Sequence, residues 1–259
     1  MKKKTNKKIE ILKLTIKLEH VKSLNPIQRH VYYLLGHMAN EFQTIQLMLI
    51  AVQPSTNDER LFRIHAEMSQ VWFFIRTAIG KIYEASDAIK KLSTDRSSLL
   101  FANHADSGEL EKLLAQTKDT QWLGKIRNKL SFHYPNNTAW QASEEPEQAT
   151  WSDDEIYMTK DSARTFYQGS DHLLLSAVLQ KIDERPNAET VNEILQKTTT
   201  WVKEFCELLN RAMAHFIEEN FPDLIQTIPT ETGTVLAPHI SNIRLPFWYY
   251  NEMDRPKDS

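Results

Sequence analysis

Apolar positions recur every three or four residues over most of the chain, which is the spacing of helices that bury one face. The first long stripe follows Asn25-Pro26, where asparagine can cap a helix and proline can take its first position. It consists of Ile27, Val31, Leu34, Met38, Phe42, Ile45, Leu49 and Val52. After a polar turn at Ser55–Asp58, a second stripe consists of Phe62, Met68, Trp72, Ile75, Ile79, Ile82, Ile89 and Leu92. Two long helices joined by a short turn predict an antiparallel hairpin that forms the spine of the fold.

Three further helices are predicted downstream. A short one spans Ser107–Lys118, and another begins at Ser170 or Asp171. The last starts at Ala188, and its apolar positions alternate steps of four and three: Val191, Leu195, Thr198, Val202, Phe205, Leu209, Ala212 and Phe216. A heptad stripe of this kind is the seam of either a helical bundle or a dimer, and both interpretations stay open at this point.

Strand signals are few. From Ile9 to Leu18 apolar and polar residues alternate, which favours a strand, and Glu155–Thr159 is a second short candidate that could pair with the first. Residues 136–154 are polar and predict a loop. Beyond Phe221-Pro222, prolines and a glycine predict an irregular segment whose aromatic cluster packs back on the helices; the cluster is Phe247, Trp248, Tyr249 and Tyr250. We therefore expect a mainly α protein, organised as a basic lead with a possible strand (1–24), an antiparallel helical bundle (25–220) and an irregular C-terminal segment (221–259).

Composition excludes several classes of function. The chain has only 6 glycines and neither a G-x-G-x-x-G nor a G-x-x-x-x-G-K-[ST] sequence, so it offers no glycine-rich nucleotide loop. Histidines and carboxylates do not recur at metal-binding spacings, and we expect no metal and no cofactor. One cysteine and the absence of a long apolar run predict a cytoplasmic protein without membrane contact. With a net charge of −3, binding to RNA would require a local basic patch.

The most informative stretch is D-T-Q-W-L-G-K-I-R-N-K-L-S-F-H-Y-P, residues 119–135. It begins like a helix, with Asp119 or Thr120 as the cap, and must end near the proline. On a regular helix its apolar face consists of Trp122, Leu123, Ile126 and Leu130. Arg127 lies at one margin of this face and His133 near the other. A guanidinium there needs a carboxylate, an anion or a solvent-filled cleft. Ideal geometry separates the two by about 120°, so they meet only if the last turn loosens or a second subunit contributes.

The segment R-N-K-L-S-F-H resembles the signature of the HEPN superfamily, an arginine followed after four to six residues by a histidine at a helix end in an all-α bundle. A polar residue directly after the arginine, here Asn128, is frequent in that signature. The surrounding I-R-N-K-L-S-F-H-Y is also similar to bacterial members of the group. The motif covers seven residues, and the consistent helical context extends over about 25–220.

The resemblance implies an endoribonuclease that needs no metal, with a role in toxin action or antiviral defence. His133 would act as general base or acid, Arg127 would hold the phosphate, and Asn128 would orient either group. Lys129 and Tyr134 would contact the RNA. Members commonly form homodimers in which two motifs face one cleft, and an antitoxin or defence-system partner is implied. A related subgroup is modified on a tyrosine two residues after the histidine; here Tyr134 is adjacent to it, so the resemblance does not extend to that control.

Other interpretations of the same residues stay open. Arg127 could pair with a helix-borne carboxylate, either Asp87 or Glu84, and His133 could cap its helix by bonding a free carbonyl. A bundle of this type could bind nucleotides or RNA without cleaving them, or act only as a helical interaction protein.

Overall fold

The computed structural model describes residues 5–54, 60–100, 104–131, 155–158, 165–180, 182–183, 188–225 and 230–248. These residues form a mainly helical protein with a minor β component, as the sequence predicts. The helices are α1 (Leu18–Ser23), α2 (Pro26–Ala51), α3 (Leu61–Leu100), α4 (His104–Asp119), α5 (Gln121–Ile126), α6 (Gln168–Gln180), α7 (Ala188–Asn220) and α8 (Pro222–Ile225). A π-helical turn (Arg127–Ser131) continues α5, and a 3₁₀ turn spans Ile240–Asn242. In the described part of the chain no helix is both long and apolar enough to cross a bilayer.

Helix α2 begins as its sequence predicts. The Asn25 side chain accepts hydrogen bonds from the backbone N–H groups of Ile27 and Gln28, at 3.0 and 2.9 Å. The Gln28 side chain in turn accepts from the Asn25 backbone N–H at 3.1 Å. This reciprocal capping box satisfies donors that the first helical turn would otherwise leave free.

The core lies among α2, α3 and α7. Helices α2 and α7 are antiparallel, because Gln28 bonds Asn220 near one end and Gln43 bonds Asn210 further along. Between them the rings of Phe42 and Phe205 stack with centroids 4.8 Å apart. The central and later positions of the heptad stripe are buried here; they are Thr198, Val202, Phe205, Leu209, Ala212 and Phe216. The stripe is therefore part of the protein's own core, and the interpretation of it as a dimer seam is wrong.

The strands pair differently from the expectation. Strand β1 (Lys7–Lys13) pairs antiparallel with β4 (Thr230–Ala237), while β2 (Ile156–Met158) pairs with β3 (Thr165–Tyr167). The prediction that the first two candidate strands pair with each other is thus wrong. The prediction of an irregular chain is also wrong for Thr230–Ala237, which forms β4. Threonines and Val235 give that segment strand propensity, which outweighs its single glycine. The first strand also ends earlier than its alternation suggests, since Leu18 already begins α1. The predicted loop at 136–154 lies outside the described residues.

Part of the C-terminal aromatic cluster packs on the helical body, as predicted. The Phe247 ring contacts Phe166 at 5.5 Å and the Trp248 ring contacts Phe62 at 5.5 Å between centroids. The backbone N–H of Leu245 donates to the carbonyl of Ala51 at 2.8 Å, which anchors the segment at the end of α2. Tyr249 and Tyr250 lie outside the described residues.

Candidate functional site at the end of helix α5

Helix α5 buries the apolar face that its sequence predicts. Trp122, Leu123 and Ile126 are buried, Ile126 with 0% exposure, and the Trp122 ring lies 5.9 Å from that of Trp201 on α7. The predicted cap Thr120 precedes the helix but makes no capping bond, because its hydroxyl donates to the carbonyl of Gln116 on α4. Packing rather than capping therefore sets the direction of α5, and with it the direction of Arg127.

The chain changes geometry at Arg127. From Arg127 to Ser131 it forms a π-helical turn, and the Ser131 hydroxyl donates to the Ile126 carbonyl at 3.4 Å. Isolated π turns within α-helices are rare and frequently mark functional sites. A loosened last turn was one condition for Arg127 and His133 to meet. The hydrogen bonding changes from α to π at Arg127, while the φ and ψ angles of Arg127 itself stay α-helical, at −54° and −50°. His133 and Tyr134 lie outside the described residues, as does the Lys129 side chain.

Arg127 is held from three directions. One terminal nitrogen, Nη2, donates to Glu84 Oε1 at 2.9 Å, and the other, Nη1, donates to Asn128 Oδ1 at 2.9 Å. Its guanidinium carbon lies 5.7 Å from the centroid of the Tyr83 ring, within range of a cation–π contact. Of the two carboxylates that the sequence offered, Glu84 is therefore the partner, while Asp87 pairs with Lys91 at 2.7 Å.

The guanidinium still has donors to spare. An arginine carries five N–H groups, and Arg127 uses two of them in the bonds to Glu84 and Asn128. Its Nε is buried without a hydrogen-bond partner among the described residues. The side chain as a whole is 33% exposed and that of Glu84 40% exposed, so solvent and solutes reach the pair. The arrangement fixes a cation in place and leaves part of it available to an anion.

Gly124 explains how Tyr83 reaches this position. A Cβ atom at Gly124 would lie 3.2 Å from Cε2 of the Tyr83 ring, closer than an ordinary van der Waals contact. The missing side chain allows the ring from α3 to lie directly over α5, one turn before Arg127. Gly124 therefore allows the Tyr83 ring to pack against the guanidinium of Arg127.

A polar hollow of about 300 Å³ opens beside Tyr83 and Gly124. Two lysines, Lys90 and Lys118, line it together with Asp87 and the hydroxyl groups of Ser86, Thr117 and Thr120. Ser86 and Thr117 share a buried hydrogen bond of 3.2 Å that joins α3 to α4. The two lysines outnumber the single carboxylate among the described residues that line the hollow, so its lining carries a small net positive charge.

Sequence reasoning found Arg127, Asn128 and the partner Glu84, but it missed Tyr83, Lys90 and Lys118. Tyr83 and Lys90 stand seven residues apart on α3, a spacing that places both on one side of a helix. That spacing was the available signal, although it does not indicate which side of α3 faces α5.

Compared with protein-family models, with curated proteins and with solved structures, the chain matches none.

Proposed function

We propose that the protein is a metal-independent endoribonuclease that cleaves RNA with Arg127, Asn128 and His133. The observation that supports this proposal best concerns Arg127. Its guanidinium contacts Glu84 and Tyr83 and is partly exposed, and Arg127 is the first residue of the π-helical turn (Arg127–Ser131) that precedes His133 in the sequence. The resemblance of R-N-K-L-S-F-H to the HEPN signature supplies the reaction class.

The proposed reaction uses the RNA as its own nucleophile. His133 takes the proton from a ribose 2′-OH, whose oxygen then bonds to the adjacent phosphorus. The bond from phosphorus to the 5′-oxygen breaks, and that oxygen takes a proton from a solvent water molecule as it leaves, giving a 2′,3′-cyclic phosphate and a 5′-OH. The protonated His133 then returns its proton to the solvent. Arg127 would bind the phosphate oxygens and stabilise the charge that builds up on them. Glu84 competes with the phosphate for the same Nη2 group, so it keeps the guanidinium oriented until RNA binds.

Cleavage in the presence of EDTA tests the reaction. We expect a labelled single-stranded RNA to be cut with a cyclic phosphate at the new 3′ end. We expect His133→Ala to lower the rate by at least about 100-fold, the usual contribution of a general acid or base. His37→Ala is the matched control, because His37 lies exposed on α2 and pairs only weakly with Glu41 at 3.6 Å. Cleavage that requires added metal, or that survives in His133→Ala, would refute this proposal.

A non-catalytic role in binding RNA or nucleotides is the second candidate, and one specific observation favours it. Arg127 uses only two of its five N–H groups in the bonds to Glu84 and Asn128, and two lysines line the neighbouring hollow; these groups can bind a phosphate whether or not it is cleaved. If the wild-type protein retains RNA on a filter but leaves it intact, and if Arg127→Ala abolishes that retention, the binding role is correct.

The setting of the activity is also part of the proposal. By the resemblance, the protein would act as a homodimer in toxin action or antiviral defence, with an antitoxin or a defence-system protein as partner. The single cysteine and the absence of a long apolar run favour the cytoplasm as its location. Light scattering on the purified chain measures the mass, and a monomer at all concentrations would contradict the dimer. With the heptad stripe buried in the core, such a dimer would have to use another surface.

A further inference from the structure

A second cavity lies between α3, α6 and α7, away from the α5 site. Its volume is about 220 Å³, and its walls are mainly apolar side chains such as Trp72, Phe166, Leu174, Val178 and Val191. Trp72, Phe166 and Val178 are themselves buried, so these walls belong to the protein interior. An apolar cavity of about 150 Å³ already accepts benzene, and this one has room for two fused rings.

A cluster of polar side chains faces the same cavity. Ser69 on α3 donates a hydrogen bond to Oδ2 of Asp171, which lies in the first turn of α6. The rings of His65 and His172 meet edge to face with centroids 5.3 Å apart. Arg76 lines the cavity as well. A small number of polar groups that converge on an apolar cavity is typical of a small-molecule site.

The charges of this cluster balance. Burial lowers the pKa of the Arg76 guanidinium from its ordinary value, and the nearby Asp171 carboxylate opposes that change. Among the described residues that line the cavity, Arg76 carries the positive charge and Asp171 the negative charge, so these two charges offset each other. A ligand with a net charge would upset this balance at a cost in desolvation. The cavity therefore favours an uncharged molecule.

Asp171 is the hydrogen-bond acceptor among the charged residues that line the cavity. A carboxylate offers about four acceptor positions on two oxygens, and the Ser69 hydroxyl occupies one of them. The remaining positions suit an N–H donor. The arrangement does not fit nucleophilic catalysis, since the Ser69 hydroxyl donates to the carboxylate and not to a histidine. Nor do the described residues contain a group of three or more potential metal ligands.

We propose that this cavity binds a small uncharged aromatic heterocycle of two fused rings whose ring N–H donates to Asp171. Trp72 and Phe166 would contact the faces or edges of the rings, and the histidine pair would close one side. This site is independent of the proposed ribonuclease activity, since none of its residues takes part in the Arg127 site.

Indole and benzofuran are the probes that test the proposal by calorimetry on the full chain. The two have the same shape, but only indole carries an N–H. We expect indole to bind at least about tenfold more tightly, the usual effect of a hydrogen bond to a charged acceptor. Tryptamine and indole-3-acetate, which carry a positive and a negative charge, should bind more weakly than indole. Equal affinity for indole and benzofuran, tighter binding of either charged probe, or no binding of indole would overturn the proposal.

Three variants locate the site. Val191→Phe should fill the cavity and abolish indole binding, whereas Leu195→Phe, one turn further along α7 and outside the cavity lining, should bind indole as the wild type does. Asp171→Asn keeps the shape and removes the charge, so the preference for indole over benzofuran should shrink toward equality. That preference is the ratio of two affinities measured on the same variant, so its value does not depend on what fraction of the sample is folded. A tenfold preference that persists in Asp171→Asn, or indole binding unchanged by Val191→Phe, would contradict the assignment.

Discussion

At the scale of single residues, Arg127 is the side chain whose surroundings say most about function. Its bonds to Glu84 and Asn128 use two separate nitrogens in the fixed plane of a guanidinium. A lysine has the same charge but only one nitrogen, on a flexible stem, so it cannot reproduce both bonds and still present a donor to a phosphate.

Arg127→Lys should therefore lower RNA cleavage by about 100-fold, comparable to the loss of one preorganised donor at a transition state. Arg211→Lys is the matched control, because Arg211 also uses its two terminal nitrogens on two different side chains, the carboxylates of Asp106 and Glu109, but lies far along the chain from the site. Rates are to be measured with the same labelled RNA. A lysine variant with wild-type activity would show that only charge at position 127 matters.

Glu84→Gln separates a functional from a structural role of the pair. Both side chains are substantially exposed, so losing the ion pair should cost less than about 1 kcal/mol of unfolding free energy. If Glu84 only holds Arg127 ready for a phosphate, the variant should bind RNA at least as tightly as the wild type, since the competing carboxylate has lost its charge. Filter binding and urea denaturation measure the two quantities. A large loss of stability without a change in RNA affinity would favour the structural role.

At the scale of elements, the contact between α3 and α5 depends on Gly124. A methyl group at this position would meet the Tyr83 ring at 3.2 Å, so the ring or the helix must move. Tyr83 in turn lies under the guanidinium of Arg127, and a shift of α5 would reach the π-helical turn.

Gly124→Ala gains the helix propensity of alanine but places a methyl group against the Tyr83 ring. We expect the overpacking to outweigh the gain, so that the free energy of unfolding falls by up to about 1 kcal/mol and RNA cleavage falls with it. Gly108→Ala should have the opposite effect on stability. Nothing lies within 4 Å of a Cβ atom at this position, so alanine in the interior of α4 should raise the free energy of unfolding by up to about 1 kcal/mol. Thermal melts of the two variants should move in opposite directions. A Gly124→Ala variant as stable as Gly108→Ala would show that Tyr83 moves aside without cost.

The elements also show what local sequence can and cannot predict. The start of α2 follows from Asn25, Pro26 and Gln28 alone, because capping is a contact between near neighbours in the chain. The choice of Glu84 over Asp87 as the partner of Arg127 cannot be predicted in this way. The two carboxylates lie one turn apart on α3, and the rotation of α3 relative to α5 determines which of them reaches Arg127. The pairing of β1 with β4 was missed for the same reason. The tertiary fold determines which strand pairs with which, and the residue pattern within one strand does not identify its partner.

At the scale of the whole molecule, the core of α2, α3 and α7 controls the chemistry of the single cysteine. Cys206 is only 5% exposed, and burial raises the pKa of its thiol to about 11 from an ordinary value of 9.0. The folded protein should therefore keep this thiol protonated and out of reach.

Reaction with a disulfide reagent at pH 8 should be slow in the native protein and fast in denaturant. The raised pKa also predicts a pH effect on stability: above pH 9 the unfolded chain releases the thiol proton first, so the free energy of unfolding should fall as the pH rises from about 9 to about 11. Cys206→Ala should lack this component of the pH dependence, although it creates a small cavity. Rapid modification of the native thiol at pH 8 would contradict its burial.

The ribbon of β1 and β4 joins residues 7–13 to residues 230–237. During synthesis this ribbon has to wait until residue 237 has emerged from the ribosome, whereas α2 and α3 can associate much earlier because their contacts are closer in sequence. Until then the backbone donors and acceptors of β1 are unpaired, and its apolar residues Ile9 and Ile11 are uncovered. The strand could therefore pair with an exposed strand of another protein chain. Its lysines at positions 7, 8 and 13 add like charges that discourage such pairing between nascent copies.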